Sequence, residues 1–283
     1  MPLWQPQADI MILKKQTYRP DKPVNPFIGA LLFLIAIILL AITGLLGFVY
    51  GIFHSLFTRG IKGIGEYLLK IAISVDQLGN VIMQHLMNVL WTNKNGYKFG
   101  NRDETISSAL GRNKKLGTLT AAGRLMDKIL DIIDPDHSLN SIDYYVEPSE
   151  DIIDHLAWIH FKDKQILCLK KLGTDADFYF IPKGIRLEGE TDAQTLLTTT
   201  KDILNIDIDS LSMEFIGIFE AQALGKKPGI LSRMTCYTAM HSGKFLPDSE
   251  LYEIAWLTYD QKDKLSEVDQ LIFDILHQNG LLS

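Results

Sequence analysis

The chain has 283 residues, 47% of them hydrophobic, and a formal net charge of −6. That length allows one large or two modest domains, and the acidic balance gives no electrostatic reason to expect a nucleic-acid partner. The only cysteines, Cys168 and Cys236, lie in apolar, strand-like surroundings. Two free buried thiols in a reducing compartment are therefore expected.

Residues 1–26 form a polar tail carrying Pro2, Pro6, Pro20, Pro23 and Pro26, expected to be extended or disordered. From Phe27 to Phe57 there is no Asp, Glu, Lys or Arg. A helix crosses a bilayer core with about 20 apolar residues, so 27–57 is predicted to be one transmembrane helix anchoring the chain in the lipid bilayer. It is too short for two spans and exceeds the apolar stretch of about 7–15 residues in a cleaved signal peptide. Lys14, Lys15, Arg19 and Lys22 precede it, and Arg59, Lys62 and Lys70 follow. Such similar counts leave the orientation undecided by flanking charge.

Residues 58–140 are predicted to be a helical, membrane-proximal region. Ile61, Ile64, Leu68, Ile71, Val75, Leu78, Ile82, Leu86 and Val89 recur every three or four positions. Such a helix suits the membrane interface, a partner helix in a homo-oligomer, or its own domain. In the polar connector 92–111, Asp103 or Thr105 is expected to cap a short helix. Arg112, Lys114 and Lys115 are expected to form a solvated basic cluster. A second amphipathic helix over 118–133 carries Leu119, Leu125, Ile129, Ile132 and Ile133, and Asp134-Pro135 ends it. Asp76, Asp103, Glu104, Asp136 and His137 are the right donor types for a hard-metal or hydrolytic site. Their spacing follows no ligand pattern, so caps and turn formers are expected. The stretches 76–80, 103–108 and 134–137 are similar to a group of small, uncharacterised bacterial and prophage proteins, which implies no activity.

The acidic, proline-containing segment 141–151 reads as a linker. Beyond it the chain is predicted to be α+β. Strands are expected over 157–161 and 165–169, joined by a Lys162-Asp163-Lys164 turn, and over 178–181, 215–219, 234–239 and 253–257. Helices are expected over 191–204 and around Leu265, Val268, Leu271, Ile272 and Ile275.

Within this half, Ile181-Pro182-Lys183-Gly184-Ile185-Arg186-Leu187-Glu188-Gly189-Glu190 leads into a helix ending Thr198-Thr199-Thr200-Lys201-Asp202-Ile203. The stretch resembles a Nudix box, G-x5-E-x7-R-E-U-x-E-E-x-G-U with U apolar. Tyr179-x-Ile181-Pro182, Ile216-Gly217-x-Phe219-Glu220 and Pro247-x-x-Glu250-x-x-Glu253-x-x-Trp256-Leu257 extend the likeness over about 151–283. The resemblance implies a Nudix-like α/β/α sandwich domain over 152–283. In that family, carboxylates on one helix face hold Mg or Mn, which neutralises diphosphate charge and activates water. Here Thr198 and Thr199 stand at the R-E pair, Asp202 and Ile203 at the E-E pair, and Asn205 at the following glycine.

The resemblance therefore implies a binding fold with an eroded metal site. Glu190 and Asp202 are the remaining candidate metal ligands. No cofactor is expected unless the domain is active, and then Mg or Mn. Ligand contacts are expected from Gly184, Arg186, Gly189 and Glu190. If catalysis survives, Glu190, Asp202, Glu250 and Glu253 carry it, with Glu214 and Glu220 as further carboxylates near the cleft. The expectation is a single-pass, membrane-anchored, catalytically inactive Nudix-like protein that senses a nucleotide-derived ligand or acts as a scaffold. A cytoplasmic C-terminal domain suits such a ligand and the unpaired thiols. The alternatives are a divergent membrane-tethered pyrophosphohydrolase and an oligomeric membrane effector or assembly protein.

Overall fold

The computed structural model describes residues 25–146, 151–172, 178–186, 190–246 and 251–283. It opens with α1 (Pro26–Leu90), whose Asn25 side chain accepts the Phe27 N–H while Pro26 occupies the first turn. Among the described residues α1 is the one helix long and apolar enough to cross a membrane, and its most apolar stretch is wholly unburied. At Gly60 the backbone takes φ 65 and ψ −154, a conformation that only glycine adopts readily. The chain doubles back there. The Tyr67 hydroxyl donates to the Gly47 carbonyl at 3.4 Å, and its ring lies 6.4 Å from that of Phe48. A Cβ on Gly51 would stand 2.3 Å from Tyr67, so glycine is what lets the two arms approach. The span and the amphipathic helix expected after it are thus two arms of one helix, 26–59 and 61–90.

The second arm turns a polar face inward. Asn80 donates to the carbonyls of Asn101 and Glu104, and Asn88 exchanges both of its hydrogen bonds with the Phe99 backbone. Three short helices follow, α2 (Ile106–Lys115), α3 (Ala121–Ile133) and α4 (His137–Asn140). Thr105 and Thr120 cap the first two through their hydroxyls, and α3 ends at Asp134 before Pro135. The five suggested metal donors are dispersed among structural tasks. Asp76 accepts from Ser107, Asp103 lies 3.6 Å from Arg102, Glu104 accepts from Tyr97 and Ser108, Asp136 lies 3.8 Å from Lys114, and His137 pairs with Asp134.

The C-terminal half contains β1 (Ile152–Trp158), β2 (Phe161–Lys162), β3 (Gln165–Lys171), β4 (Tyr179–Phe180), β5 (Lys183–Ile185), α5 (Asp192–Leu204), β6 (Asp207–Ile208), β7 (Glu214–Gln222), β8 (Leu231–Thr238), β9 (His241–Ser242), β10 (Tyr252–Leu257) and α6 (Glu267–Gln278). One sheet has the order β5-β1-β8-β7, with β1 parallel to β8; the other has the order β10-β3-β2, with β4 also on β3. The strand expected over 157–161 divides at residues 159–160, its first part joining one sheet and its last residues the other. Asp163 and Lys164, both at positive φ (52 and 60), make the tight hairpin turn into β3. Two apolar cores result. Ala157, Ile166, Cys168 and Cys236 pack under α6, while Leu156, Trp158, Leu167 and Tyr237 pack under α5. Alternation along the strands therefore gives the expected α/β/α layering. Cys168 and Cys236 are free and buried, and burial pushes both thiols up.

The two halves are joined by buried charge. Arg112 on α2 is 2% exposed; it donates through Nε to Glu220 on β7 at 2.9 Å and also pairs with Glu104. Glu220 accepts in turn from Arg233 Nε at 2.7 Å, and Arg233 Nη1 donates to the Val146 carbonyl at 2.6 Å. Burial alone would raise the Glu220 carboxyl; Arg112 and Arg233 outweigh it and hold it below the usual carboxylate range. Glu220 thus serves the junction between the two halves. Of the basic cluster only Arg112 is buried; Lys114 is half-buried and Lys115 is exposed. Lys114 binds Asp127 and Asp131 at 3.0 and 3.1 Å, and Lys115 donates to the Glu220 carbonyl, because α2 turns this face toward α3 and β7.

Replacing Glu220 by Gln leaves two buried guanidinium groups short of one charge. The expected loss is about 3–5 kcal/mol of stability, measured by denaturant unfolding of the full chain. A loss below about 1 kcal/mol would show that the junction does not depend on this charge.

Candidate functional site

The loop and helix that resemble the Nudix box are β5 through α5. Thr191 and Gln194 close a capping box at the start of α5, and Asn205 ends it at φ 55. Asn is the non-glycine residue best suited to that left-handed position, which explains its presence where the box has glycine. Thr199 faces Gly184, and a Cβ on Gly184 would lie 2.0 Å from the Thr199 hydroxyl. A wedged hydroxyl therefore occupies the first helix-carboxylate position. Thr200 returns its hydroxyl to the Leu196 carbonyl at 2.9 Å, a local satisfaction available to threonine in a helix. Ile203 joins the apolar core under α5, and Asp202 is exposed.

Glu190 accepts from the Thr195 hydroxyl at 2.7 Å. It precedes α5, whereas Asp202 lies in the helix's last turn. Twelve residues at 1.5 Å each separate them by roughly 18 Å along the axis, too far for one cation bound at about 2.0–2.6 Å from each oxygen. The pair proposed from sequence as metal ligands is thus not a pair. Among the described residues no three His, Cys, Asp or Glu side chains gather as a metal site. These residues do not fit a divalent cation at the box. Glu253 is exposed on β10, opposite Lys170 of β3. Gly189 and Glu250 lie outside the described residues.

Arg186 is held inside the fold. Its Nη2 lies 3.0 Å from Asp192 and its Nε 3.4 Å from Asp154, and its side chain is 9% exposed. The Tyr237 hydroxyl donates to Asp192 at 2.7 Å. Burial and then the Asp192 charge push that phenol far above its usual value. The Arg186 charge is therefore compensated by two carboxylates of its own chain.

A different site forms beside the core under α5. A cavity of about 690 Å³ is lined by His160, Ser212, Glu214, Met240 and His241, among others. Trp158 stacks on His160 with centroids 4.8 Å apart and planes 15° from parallel. His241 meets His160 edge-on at 4.8 Å, and Phe245 and Trp256 lie 5.6 and 5.7 Å from His160. The break at residues 159–160 brings His160 to this cavity, while Trp158 anchors below through its indole N–H on the Ala239 carbonyl. Burial, then the proximity of His241, lowers His160 to about 4, so it is neutral near pH 7. The buried Nδ1 of His241 has no hydrogen-bond partner among the described residues. No motif marks these histidines in the sequence; only the fold brings them together.

Two outcomes follow from this geometry. Gly184→Ala is expected to cost about 1–3 kcal/mol through overpacking, and Thr199→Ala in the same chain to restore most of it, as read by denaturant midpoints of the four forms. Additive losses would separate the two positions. An unfolded histidine binds its proton near 6.5, whereas His160 and His155 bind theirs only near 4, His155 through burial and then the Lys183 charge. Between those values the unfolded chain holds more protons, so this contribution is complete above pH 6.5 and is lost as pH falls toward 4. His160→Asn is expected to flatten the fall of Tm over that range; an unchanged slope would assign the loss elsewhere.

No family model and no curated protein matches the sequence. Solved structures do resemble its C-terminal half. A putative Nudix hydrolase family member from Chromobacterium violaceum is 17% identical, covers 46% of this chain and 80% of its own, and gives a TM-score of 0.36. The MutT Nudix hydrolase from Burkholderia pseudomallei is 14% identical, covers 44% and 96%, and gives 0.36. The MutT protein from Bacillus halodurans is 22% identical, covers 44% and 82%, and gives 0.35. Nudix hydrolases are thus among the solved proteins that the C-terminal half of this chain is similar to, in fold alone.

Proposed function

We propose that this chain is a membrane-anchored, Nudix-like binding protein that recognises a nucleotide-derived ligand without hydrolysing it. The observation that carries the reading is Thr199 wedged against Gly184 where the box would present a carboxylate. Ile203 in the core and the separation of Glu190 from Asp202 point the same way. The cavity beside His160 supports binding. Its volume falls in the roughly 300–1,000 Å³ range of small-molecule sites. His160 and His241 line it with flat rings suited to stacking a heterocycle, and Trp158 and Phe245 pack behind them. A neutral His160 supplies a hydrogen-bonding group at its wall. The apolar arm 26–59 supports the anchor, with the C-terminal domain on the cytoplasmic side as a nucleotide ligand requires.

Calorimetry on the full chain in detergent, against a panel of nucleoside monophosphates and diphosphate derivatives, tests this. Binding is expected to persist when Mg²⁺ is replaced by EDTA and to weaken about tenfold, or 1.4 kcal/mol, in His160→Ala and His241→Ala. Phosphate release is expected to stay at background. Turnover with Mg²⁺ or Mn²⁺ that Glu190→Gln abolishes would replace the proposal with the hydrolase reading. Absence of binding across the panel would remove the ligand.

A further inference from the structure

The second arm of α1 carries a seven-residue repeat that the rest of the chain leaves largely uncovered. Ile61, Leu68, Val75, Ile82 and Val89 fall exactly seven apart, and Ile64, Ile71 and Leu78 stand three residues after the first three of them. These are the a and d positions of a heptad. Ile61, Val75, Ile82 and Val89 are 85%, 61%, 69% and 74% exposed. The residues that pack inward, among them Asp76, Asn80, Met87 and Asn88, occupy other heptad positions. The seam therefore points away from the fold.

We infer that this seam pairs with the same arm of a second copy as a parallel, in-register coiled coil. The repeat decides between partners. On a straight helix a strict seven-residue stripe drifts about 20° per heptad, so Ile61 and Val89 diverge by about 80°. A flat lipid surface has no use for that drift, whereas a supercoiled partner helix removes it. Four of the five a residues are β-branched, the preference of parallel coils. The area is sufficient. Six exposed seam side chains on each copy, at about 60–100 Å² each, and the half-buried Ile64 and Ile71, at about half that, cover roughly 840–1,400 Å² in a pair, a range that includes the roughly 1,200 Å² of a stable interface. The parallel sense rests on the membrane anchor, which holds both N-terminal arms in one bilayer.

Single cysteines placed in the full chain, reconstituted in vesicles and oxidised, test the seam. Val75→Cys and Ile82→Cys are expected to give disulfide-linked dimers; Ile73→Cys, exposed outside the seam, and the unmodified chain with its buried thiols are not. Light scattering in detergent is expected to give the mass of two or more chains, and that of one chain for the Val75→Lys, Ile82→Lys variant. Linkage at Val75→Cys without Ile82→Cys would overturn the parallel register. Equal linkage at all three positions, or a single-chain mass for the unmodified protein, would overturn the seam. So would a monomer whose Val75→Cys, labelled with an environment-sensitive dye, becomes shielded only on addition of lipid.

Discussion

One buried carboxylate holds this molecule together. Glu220 is 3% exposed and lies between two guanidinium groups, one from α2 and one from the neighbouring strand β8. An ionised group in such surroundings is tolerable only when fully paired. Half of that pairing comes from the helical region, so the sandwich cannot settle β7 in its present environment without α2 in place. Arg112 also ties Glu104, Ser108 and the Asp143 carbonyl, and Arg233 ties Val146. The network therefore fixes the first part of the connector, at Asp143 and Val146. Ile152 and Leu231 complete the junction by entering the apolar core of the helical region.

That junction gives the N-terminal helix its mechanical meaning. The second arm is bound to the 97–104 segment through Asn80 and Asn88, and that segment is bound to Arg112 through Tyr97 and Glu104. Polar contacts run continuously from the arm to the sandwich. At the far end of the arm, Gly60 sets the bend, and Gly51 lets Tyr67 lie against the first arm. A rigid arm with its apolar edge outward is thus held on the same face of the domain in every copy, which a seam needs if neighbouring chains are to meet in register.

Much of the helical frame was legible from local chemistry. Thr105, Thr120 and the Thr191–Gln194 box announce helix starts by donor–acceptor spacing, and Asp134-Pro135 announces a stop. Layering in the C-terminal half was implied by the interleaving of strands with two helices and by the resemblance to the Nudix family. What escaped was decided by distant partners. Arg112 reads as a surface charge until Glu220, 108 residues away, is placed beside it. Arg186 reads as a loop charge until Asp154 and Asp192 enclose it. Gly60 is one glycine among several along α1, and nothing local distinguishes the one that bends. The strand that divides at residues 159–160 carries no glycine or proline to mark a break, so the sheet change, and with it the position of His160, is set by which edges are free to pair.

The substitutions in the box follow a consistent physical logic. Clustered carboxylates on one helix face repel each other and are held together by the cation they bind. Without that cation, the same face is better filled by groups that need no counter-charge. Threonine meets the condition because its hydroxyl can return to the carbonyl of its own helix, as Thr200 does, and isoleucine meets it by entering the core, as Ile203 does. Gly184 then serves packing, accepting Thr199 at a distance no side chain would allow. The helix face at these positions is self-sufficient without a metal. Recognition, if it is to be kept on this fold, must draw on groups whose interactions need no cation. The aromatic and imidazole rings around His160 and His241 are of that kind, and they lie beside the same core that α5 covers.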